Sequence, residues 1–397
     1  MDKATAGYHD PGTRSDCLVE LSMNSKKGLS IEINSKVASL YGQSIKNLAK
    51  EILTFFNIHV ATLVINDAGA LPFVIAARVE AAIKQLLDTN DEFLPEFLEE
   101  NRYETSRERF RFSRLYLPGN TPKMMLNAGI HHPDGIILDL EDSVAPPRKH
   151  EARFLVRNAL RQVNFYGAER MVRINQIPAG LNDLQFVVPH NVHVILIPKC
   201  ESAEQVKLVE QSILKIREEK NVTGEVFYMP IIESALGVEN AYKIATASDN
   251  VVALTLGLED LTADLGVQRT MEGNETLYAR TRVVNACKAA RVQAIDSVFS
   301  DVDDPEGLLK TGKVSKSLGF EGMGCIHPGQ ISVIRNAFAP TPDEIEKAEK
   351  IVAAWETAQK EGKGVVSLGS KMIDPPVVKR ALQTIKLKQQ ITTNYYK

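Results

Sequence analysis

Apolar and polar positions follow two different rhythms along this chain, and the change falls near residue 90. Before it, alternation at Leu18 to Leu21 and at Ile31 to Ile33 predicts strands. Ser35 stands where a helix N-cap would, ahead of a stripe formed by Val37, Leu40, Ile45, Leu48 and Ile52. A third strand is predicted at Val60 to Ile65, ended by the turn signal Asp67-Ala68-Gly69, and a second amphipathic helix at Pro72 to Leu87. These elements make a small α+β domain over residues 1–90. Residues 91–113 carry Glu99, Glu100, Arg102, Arg107, Glu108 and Arg109 without an apolar face, and they read as a solvated linker.

From Arg114 onward, short apolar strands recur, most of them followed by helical periodicity, as parallel β/α units require. Eight are predicted: Leu115 to Leu117, Gly135 to Leu140, Met171 to Ile174, Val192 to Ile197, Val226 to Ile232, Val251 to Leu256, Ala294 to Phe299 and Gly322 to Ile326. Eight buried strands without a hairpin signal favour a closed (β/α)8 TIM barrel over an open doubly wound sheet, and the glycine fingerprint of a dinucleotide fold is absent. The barrel domain is placed at residues 114–340. A helix from about Pro342 to Lys360, a Gly-rich break and a last helix near Pro376 lie outside the eight-fold pattern and form a C-terminal helical lid, residues 341–397.

Composition narrows the function classes. Hydrophobic residues are 44% and charged residues 24% of 397, the balance of a globular protein with a large core. A net charge of -3 excludes a field able to hold nucleic acid or an anionic membrane surface. The four cysteines, Cys17, Cys200, Cys287 and Cys325, form no CxxC pair, against zinc and against a disulfide framework. With no signal pattern and no apolar run near the roughly 20 residues of a membrane span, a cytoplasmic location is expected.

Polar groups gather where the predicted strands end, the edge at which barrel enzymes build their sites. The second strand runs into Asp139-Leu140-Glu141-Asp142, the third into Arg173, the fourth into Lys199, the fifth into Glu233, the sixth into Gly257-Leu258-Glu259-Asp260, and the eighth into His327. Converging carboxylates repel one another unless a cation compensates, and an oxygen-only donor set points to magnesium or manganese. Glu233 and Asp260 end adjacent strands and can reach one ion; each can equally cap the helix that follows. Arg173 suits a substrate carboxylate, a developing oxyanion or an ion pair with one of these acids. Lys199 and His327 read first as structural residues, through ion pairing and hydrogen bonding.

The segments Arg114-Leu-Tyr-Leu-Pro-Gly-Asn, Ile137-Leu-Asp-Leu-Glu-Asp-Ser-Val-Ala-Pro, Met229-Pro-Ile-Ile-Glu-Ser-Ala-Leu-Gly-Val, Leu256-Gly-Leu-Glu-Asp-Leu, Ala294-Ile-Asp-Ser-Val, Cys325-Ile-His-Pro-Gly-Gln and Lys371-Met-Ile-Asp-Pro-Pro-Val resemble, in order, the citrate lyase β-subunit and malyl-CoA lyase group, HpcH/HpaI aldolase-like barrels. The resemblance implies a magnesium-dependent carbon–carbon lyase with Glu233 and Asp260 as metal ligands and Arg173 on the keto acid. It also implies the backbone at Gly257, Leu258 and Glu259 beside the substrate, and Asp139 and Glu141 behind metal-bound waters. Asp374 then acts as acid/base from a neighbouring subunit of a trimer or hexamer, and Arg148 and Lys149 meet the phosphates of a CoA-like carrier. The substrates implied are an acyl-CoA or acyl-carrier thioester, citryl-thioester first and malyl-CoA or citramalyl-CoA as alternatives, split to acetyl-thioester and a 2-keto acid. A non-catalytic scaffold is the rival reading, and other citrate lyase subunits are the possible partners. Arg14-Ser-Asp-Cys-Leu-Val, Ile31-Glu-Ile-Asn-Ser, Asn66-Asp-Ala-Gly-Ala-Leu and Ala77-Arg-Val-Glu-Ala resemble the citrate lyase acyl-carrier γ-subunit. In that family the modified serine precedes the aspartate by two positions. Here Arg14 stands there: either Ser15, one residue later, is the attachment point for a phosphopantetheine-type group, or the domain is a retained structural module and the barrel uses free CoA thioesters.

Overall fold

The computed structural model describes residues 3–23, 28–360, 366–368 and 371–395. These fall into two compact units, Met1–Ile334 and Arg335–Lys397.

The first unit begins with β1 (Lys3–Gly7), β2 (Cys17–Ser22), β3 (Leu29–Ser35), α1 (Ala38–Phe55), β4 (Ala61–Asp67) and α2 (Pro72–Ile83). The four strands make one sheet in the order β1-β2-β4-β3, with β3 and β4 parallel across α1 and the other pairs antiparallel. Strand β1 escapes the apolar pattern because its inward residues are only Ala4 and Ala6, too small to mark an alternation. Ser35 is not the cap expected of it: the N-cap of α1 is Val37, without a side-chain cap, and the Ser35 hydroxyl instead donates to Asp67 at 2.6 Å and accepts the Val37 N–H at 3.2 Å. The buried face of α1 is Ile45, Ala49, Ile52 and Leu53, whereas Leu40 is 77% exposed, so the expected stripe starts a turn too early.

Eight strands then close on themselves: β5 (Ser113–Pro118), β6 (Gly135–Asp139), β7 (Glu169–Arg173), β8 (Val194–Ile197), β9 (Phe227–Ile232), β10 (Ala253–Leu256), β11 (Gln293–Ile295) and β12 (Met323–Cys325). Neighbours are parallel in sequence order, β12 pairs with β5, and a parallel bridge from Asp296 to Met323 joins the last two, completing the barrel. Between them run α3 (Pro122–Leu126), α4 (Lys149–Gln162), α5 (Leu181–Val187), α6 (Ala203–Lys220), α7 (Ala235–Ala245), α8 (Leu258–Leu265), α9 (Leu277–Ala290) and α10 (Pro305–Leu318), with α11 (Gly329–Phe338) after β12. Inward residues such as Ile137, Met171, Val194, Leu196, Met229 and Ile231 fill the interior, as a packed rather than hollow barrel requires.

The N-terminal domain is welded to this barrel through charge. In α4 the guanidinium of Arg157 forks onto Glu80 of α2, Nη1 to Oε1 at 3.0 Å and Nη2 to Oε2 at 2.5 Å, with both side chains fully buried. Breaking a buried pair strands the remaining charge, so Arg157→Met is expected to lower unfolding stability by roughly 3–5 kcal/mol in urea titration; a loss under about 1 kcal/mol would show that the pair holds nothing together.

Residues 91–113 are a solvated connection only in part: Glu99, Glu100, Arg102, Arg107 and Glu108 are exposed as expected, but other residues anchor the segment to the barrel. Asn101 is buried and donates to the carbonyls of Leu160 and Val163 at 3.2 and 2.9 Å, and the fully buried Arg111 forks onto Glu169 at 2.7 and 2.8 Å. Arg111 is satisfied by a partner far along the chain, which a local pattern cannot reveal.

The second unit holds α12 (Pro342–Lys360), the antiparallel pair β13 (Val366–Leu368) and β14 (Lys371–Ile373), and α13 (Pro375–Tyr395). Its core is Ala348, Ile351, Ile373, Val378 and Ala381, with Trp355 against it. No helix among the described residues is long and apolar enough to cross a membrane.

Candidate active site

Strand ends dictate what meets at the barrel mouth. A cavity of about 640 Å³ opens there, lined among others by Tyr116, Asp139, Arg173, Glu233, Gly257, Leu258, Glu259, Asp260 and His327.

Glu233 follows β9 and is buried. Its Oε2 accepts the backbone N–H of Lys199 at 2.8 Å, a contact made possible by the left-handed conformation of Lys199 (φ 46°). Burial pushes the Glu233 carboxyl up to about 7; the Lys199 N–H opposes this, and the charges of Glu141 and Asp260 add to it. Gly257, directly after β10, lies against this carboxylate, where an added Cβ would be 2.4 Å from Oε1. Only glycine lets the two strand ends approach so closely. Asp260, in the first turn of α8 just past the end of β10, is half-exposed and paired with Lys199 Nζ at 3.2 Å. Burial works against the Lys199 ammonium, but Asp260 outweighs it and holds the group above its ordinary range.

Arg173 ends β7 and is gripped from three directions. Its Nε and Nη2 donate to the two oxygens of Asp139 at 2.6 and 2.7 Å, Nη1 lies 3.0 Å from Glu141 Oε2, and its guanidinium sits 5.4 Å from the ring centroid of Tyr116. Burial disfavours its charge; Asp139, foremost by hydrogen bonding, more than restores it and keeps Arg173 a permanent cation. Asp139 is buried too, yet the Arg173 fork holds it below the usual carboxylate range, whereas burial leaves Glu141 above it. The ion pair expected of Arg173 is formed, and the same side chain lines the cavity.

The other expected residues are distributed as follows. The N–H of Gly257 is taken by the carbonyl of Ile232 at 3.0 Å and that of Leu258 by Ser297 Oγ at 3.1 Å, so the donors left in the first turn of α8 are those of Glu259 and Asp260. The Glu259 carboxylate is paired with Arg269 at 2.6 Å. His327 is exposed at the rim, its Nδ1 accepting the N–H of Gly329 at 3.1 Å. Arg148 pairs with Glu151 and lies over the Tyr8 ring of the N-terminal domain, while Lys149 donates to Asn175 Oδ1. Ser15 adopts φ 60° with its N–H on the Ala68 carbonyl, beside the buried Asp16–Arg78 pair; Arg14 is exposed. Asp374 belongs to the second unit, where it caps α13 by accepting the Val377 N–H at 3.1 Å. Arg114, Thr255, Asp296 and Ser297 also line the cavity and were not anticipated as site residues. Each lies inside a predicted strand or, for Arg114, directly before one, and a polar residue amid buried apolar neighbours was the available signal.

The donor set fits a small hard cation. Two carboxylates placed just past the ends of the adjacent strands β9 and β10, one of them buried and destabilised by its surroundings, match the one or two protein oxygens by which magnesium is held, the rest of its shell being water and substrate. Among the described residues no cluster of three or more His, Cys, Asp or Glu offers the denser site that zinc prefers.

A closed parallel barrel with acids and a fixed guanidinium at its C-terminal mouth is the architecture of a barrel enzyme. Residues 113–328 match the HpcH/HpaI aldolase/citrate lyase family, and residues 3–86 match a second family described as malonate decarboxylase delta subunit. The citrate lyase subunit beta of Leuconostoc mesenteroides subsp. cremoris is 40% identical over 285 residues, 71% of this chain and 94% of that protein. The mitochondrial citramalyl-CoA lyase of Homo sapiens is 32% identical over 289 residues, 70% of this chain and 85% of that one. The CitE structure from Mycobacterium tuberculosis in complex with magnesium, acetoacetate and coenzyme A superposes with a TM-score of 0.58 at 28% identity, over 72% of this chain and all of that one. The chain belongs to the HpcH/HpaI aldolase/citrate lyase family of carbon–carbon lyases.

Proposed function

We propose that this protein cleaves a β-hydroxyacyl thioester by a magnesium-dependent retro-Claisen reaction, releasing an acetyl-thioester and a 2-keto acid. The observation that carries the reading is the buried Glu233 carboxylate pressed against Gly257 beside Asp260 and the fixed Arg173. Glu233 and Asp260 would hold the magnesium ion, which when bound withdraws electron density from the substrate hydroxyl as it becomes a ketone. Arg173, its fork held rigid by Asp139 and Glu141, offers its cavity-facing edge to the keto-acid carboxylate. The N–H groups of Glu259 and Asp260 at the start of α8 supply positive potential for developing oxyanion charge. Asp374, contributed by a neighbouring subunit of a trimer or hexamer, would exchange the proton at the enolate carbon.

Identity to the citrate lyase subunit above that to the citramalyl-CoA lyase puts citryl-thioester first among substrates. The N-terminal domain then serves as a docked carrier-like module, with Ser15 as its candidate attachment point and Arg148 and Lys149 toward the carrier phosphates. Four buried free cysteines accord with the reducing cytoplasm.

The test is magnesium titration of citryl-CoA cleavage at several pH values. A carboxyl near 7 must lose its proton to bind the metal, so apparent magnesium affinity is expected to fall about tenfold per pH unit below 7 and to level off above it. The same shift makes the metal-free protein less stable as pH rises: the Glu233 contribution is full below its unfolded value near 4.5 and is lost through about 7. Cleavage that ignores magnesium at every pH would refute the assignment.

A further inference from the structure

The cavity holds one buried charge that this chemistry leaves unused. Arg114, the second residue of β5, is fully buried and lines the cavity. Its Nη2 donates to Thr255 Oγ1 at 3.3 Å and its Nη1 faces Met229 Sδ at 3.0 Å, while Nε is buried with no acceptor. Thr255 directly precedes Leu256 and Gly257 at the end of β10, so the guanidinium lies just beneath the Glu233 layer. Other buried charges of the cavity are matched: Asp296 accepts from Arg280 at 2.5 Å and from Ser315 at 2.7 Å, and Asp139 and Arg173 hold each other. Glu233 and Asp260 are the pair assigned to the cation. Arg114 enters no ion pair among the described residues. Burial pushes its guanidinium down to about 10, which leaves it a cation at neutral pH.

A buried guanidinium with only a hydroxyl and a thioether for company is costly, and a bidentate carboxylate is the partner its fork matches best. We propose that Arg114 forms the floor of the acyl pocket and binds a second carboxylate of the substrate, on the arm attached to the hydroxyl-bearing carbon. Resting on the lyase reading above, this names the substrate class: a hydroxyacyl thioester whose hydroxyl carbon bears a carboxymethyl arm as well as its own carboxylate. The product is then a dicarboxylic 2-keto acid. With hydrogen or methyl in place of that arm, as in malyl-CoA or citramalyl-CoA, Arg114 stays buried and unpaired in the complex, and such substrates are rejected. Carboxylate recognition belongs at this depth because the bulky thioester carrier must stay at the mouth.

The experiment compares wild type, Arg114→Met and Arg114→Lys on two readouts. One is the ratio of kcat/KM for citryl-CoA over citramalyl-CoA; the other is calorimetric binding of oxaloacetate against pyruvate to the magnesium-loaded protein. The wild-type protein is expected to favour the carboxymethyl substrate and oxaloacetate by about a hundredfold or more, Arg114→Met to erase most of that preference, and Arg114→Lys to keep part of it. A ratio unchanged in Arg114→Met, or a wild type that prefers citramalyl-CoA, overturns the proposal. Should the wild type cleave neither thioester, the lyase reading fails, and the binding arm still decides: loss of an oxaloacetate preference in Arg114→Met supports the carboxylate site, and equal binding of oxaloacetate and pyruvate by wild type refutes it. If Arg114→Met does not fold, Arg114→Lys decides the outcome: a lowered preference supports the site and an unchanged one counts against it.

Discussion

Glu233→Gln is expected to lower kcat/KM for the thioester by about a thousandfold or more, with magnesium affinity falling alongside. The size follows from the several kcal/mol of charge stabilisation a bound divalent cation supplies, each 1.4 kcal/mol being a factor of ten. Glutamine preserves the volume beside Gly257 and an acceptor for the Lys199 N–H, so the fold is kept while the charge is removed. Thermal unfolding of the metal-free variant checks this. Because the buried carboxyl is already strained toward neutrality near pH 7, removing its charge should leave the metal-free protein no less stable. A variant that binds magnesium normally and turns over within about tenfold of wild type would displace Glu233 from the metal site.

Asp374→Asn is expected to be inactive with unchanged magnesium affinity, since the proposed metal ligands are Glu233 and Asp260 and the aspartate's own contact is the cap of α13. Asparagine still accepts the Val377 N–H, which separates loss of the proton-transferring group from loss of the helix cap. If the group is supplied across a subunit boundary, mixing inactive Asp374→Asn and inactive Glu233→Gln chains should regenerate about one quarter of wild-type activity, the share of sites that draw both intact groups by chance. Activity in Asp374→Asn alone removes the residue from the mechanism. Inactivity without recovery on mixing argues for a site completed within one chain.

What was legible in the sequence tracks how local the determining physics is. All eight barrel strands were visible because each is a short apolar run buried on both faces, and the observed strands Gly135–Asp139 and Phe227–Ile232 fall within a residue of their expected limits. The cluster at the mouth could be anticipated because a parallel barrel puts every strand end on one rim. Local rules failed where partners lie far apart in sequence. Arg111 lay in a segment that looked solvated until Glu169 was brought to it, the Arg157–Glu80 pair joins residues 77 apart in sequence, and β1, built on Ala4 and Ala6, exists because β2 offers it an edge. Arg114 sat in plain view inside a strand motif. What sequence could not show is that Thr255 and Met229 surround it without an acid, the arrangement that turns a core residue into a candidate anion site.

The central claim is that the barrel cleaves a hydroxyacyl thioester with the help of magnesium. The most direct measurement is incubation of the purified full chain with citryl-CoA, citramalyl-CoA and malyl-CoA, with magnesium or with a chelator, identifying products by mass spectrometry. The account predicts acetyl-CoA and a 2-keto acid from at least one thioester, citryl-CoA first, in the magnesium samples only; intact thioesters in all three, or equal cleavage in the chelated samples, would contradict it.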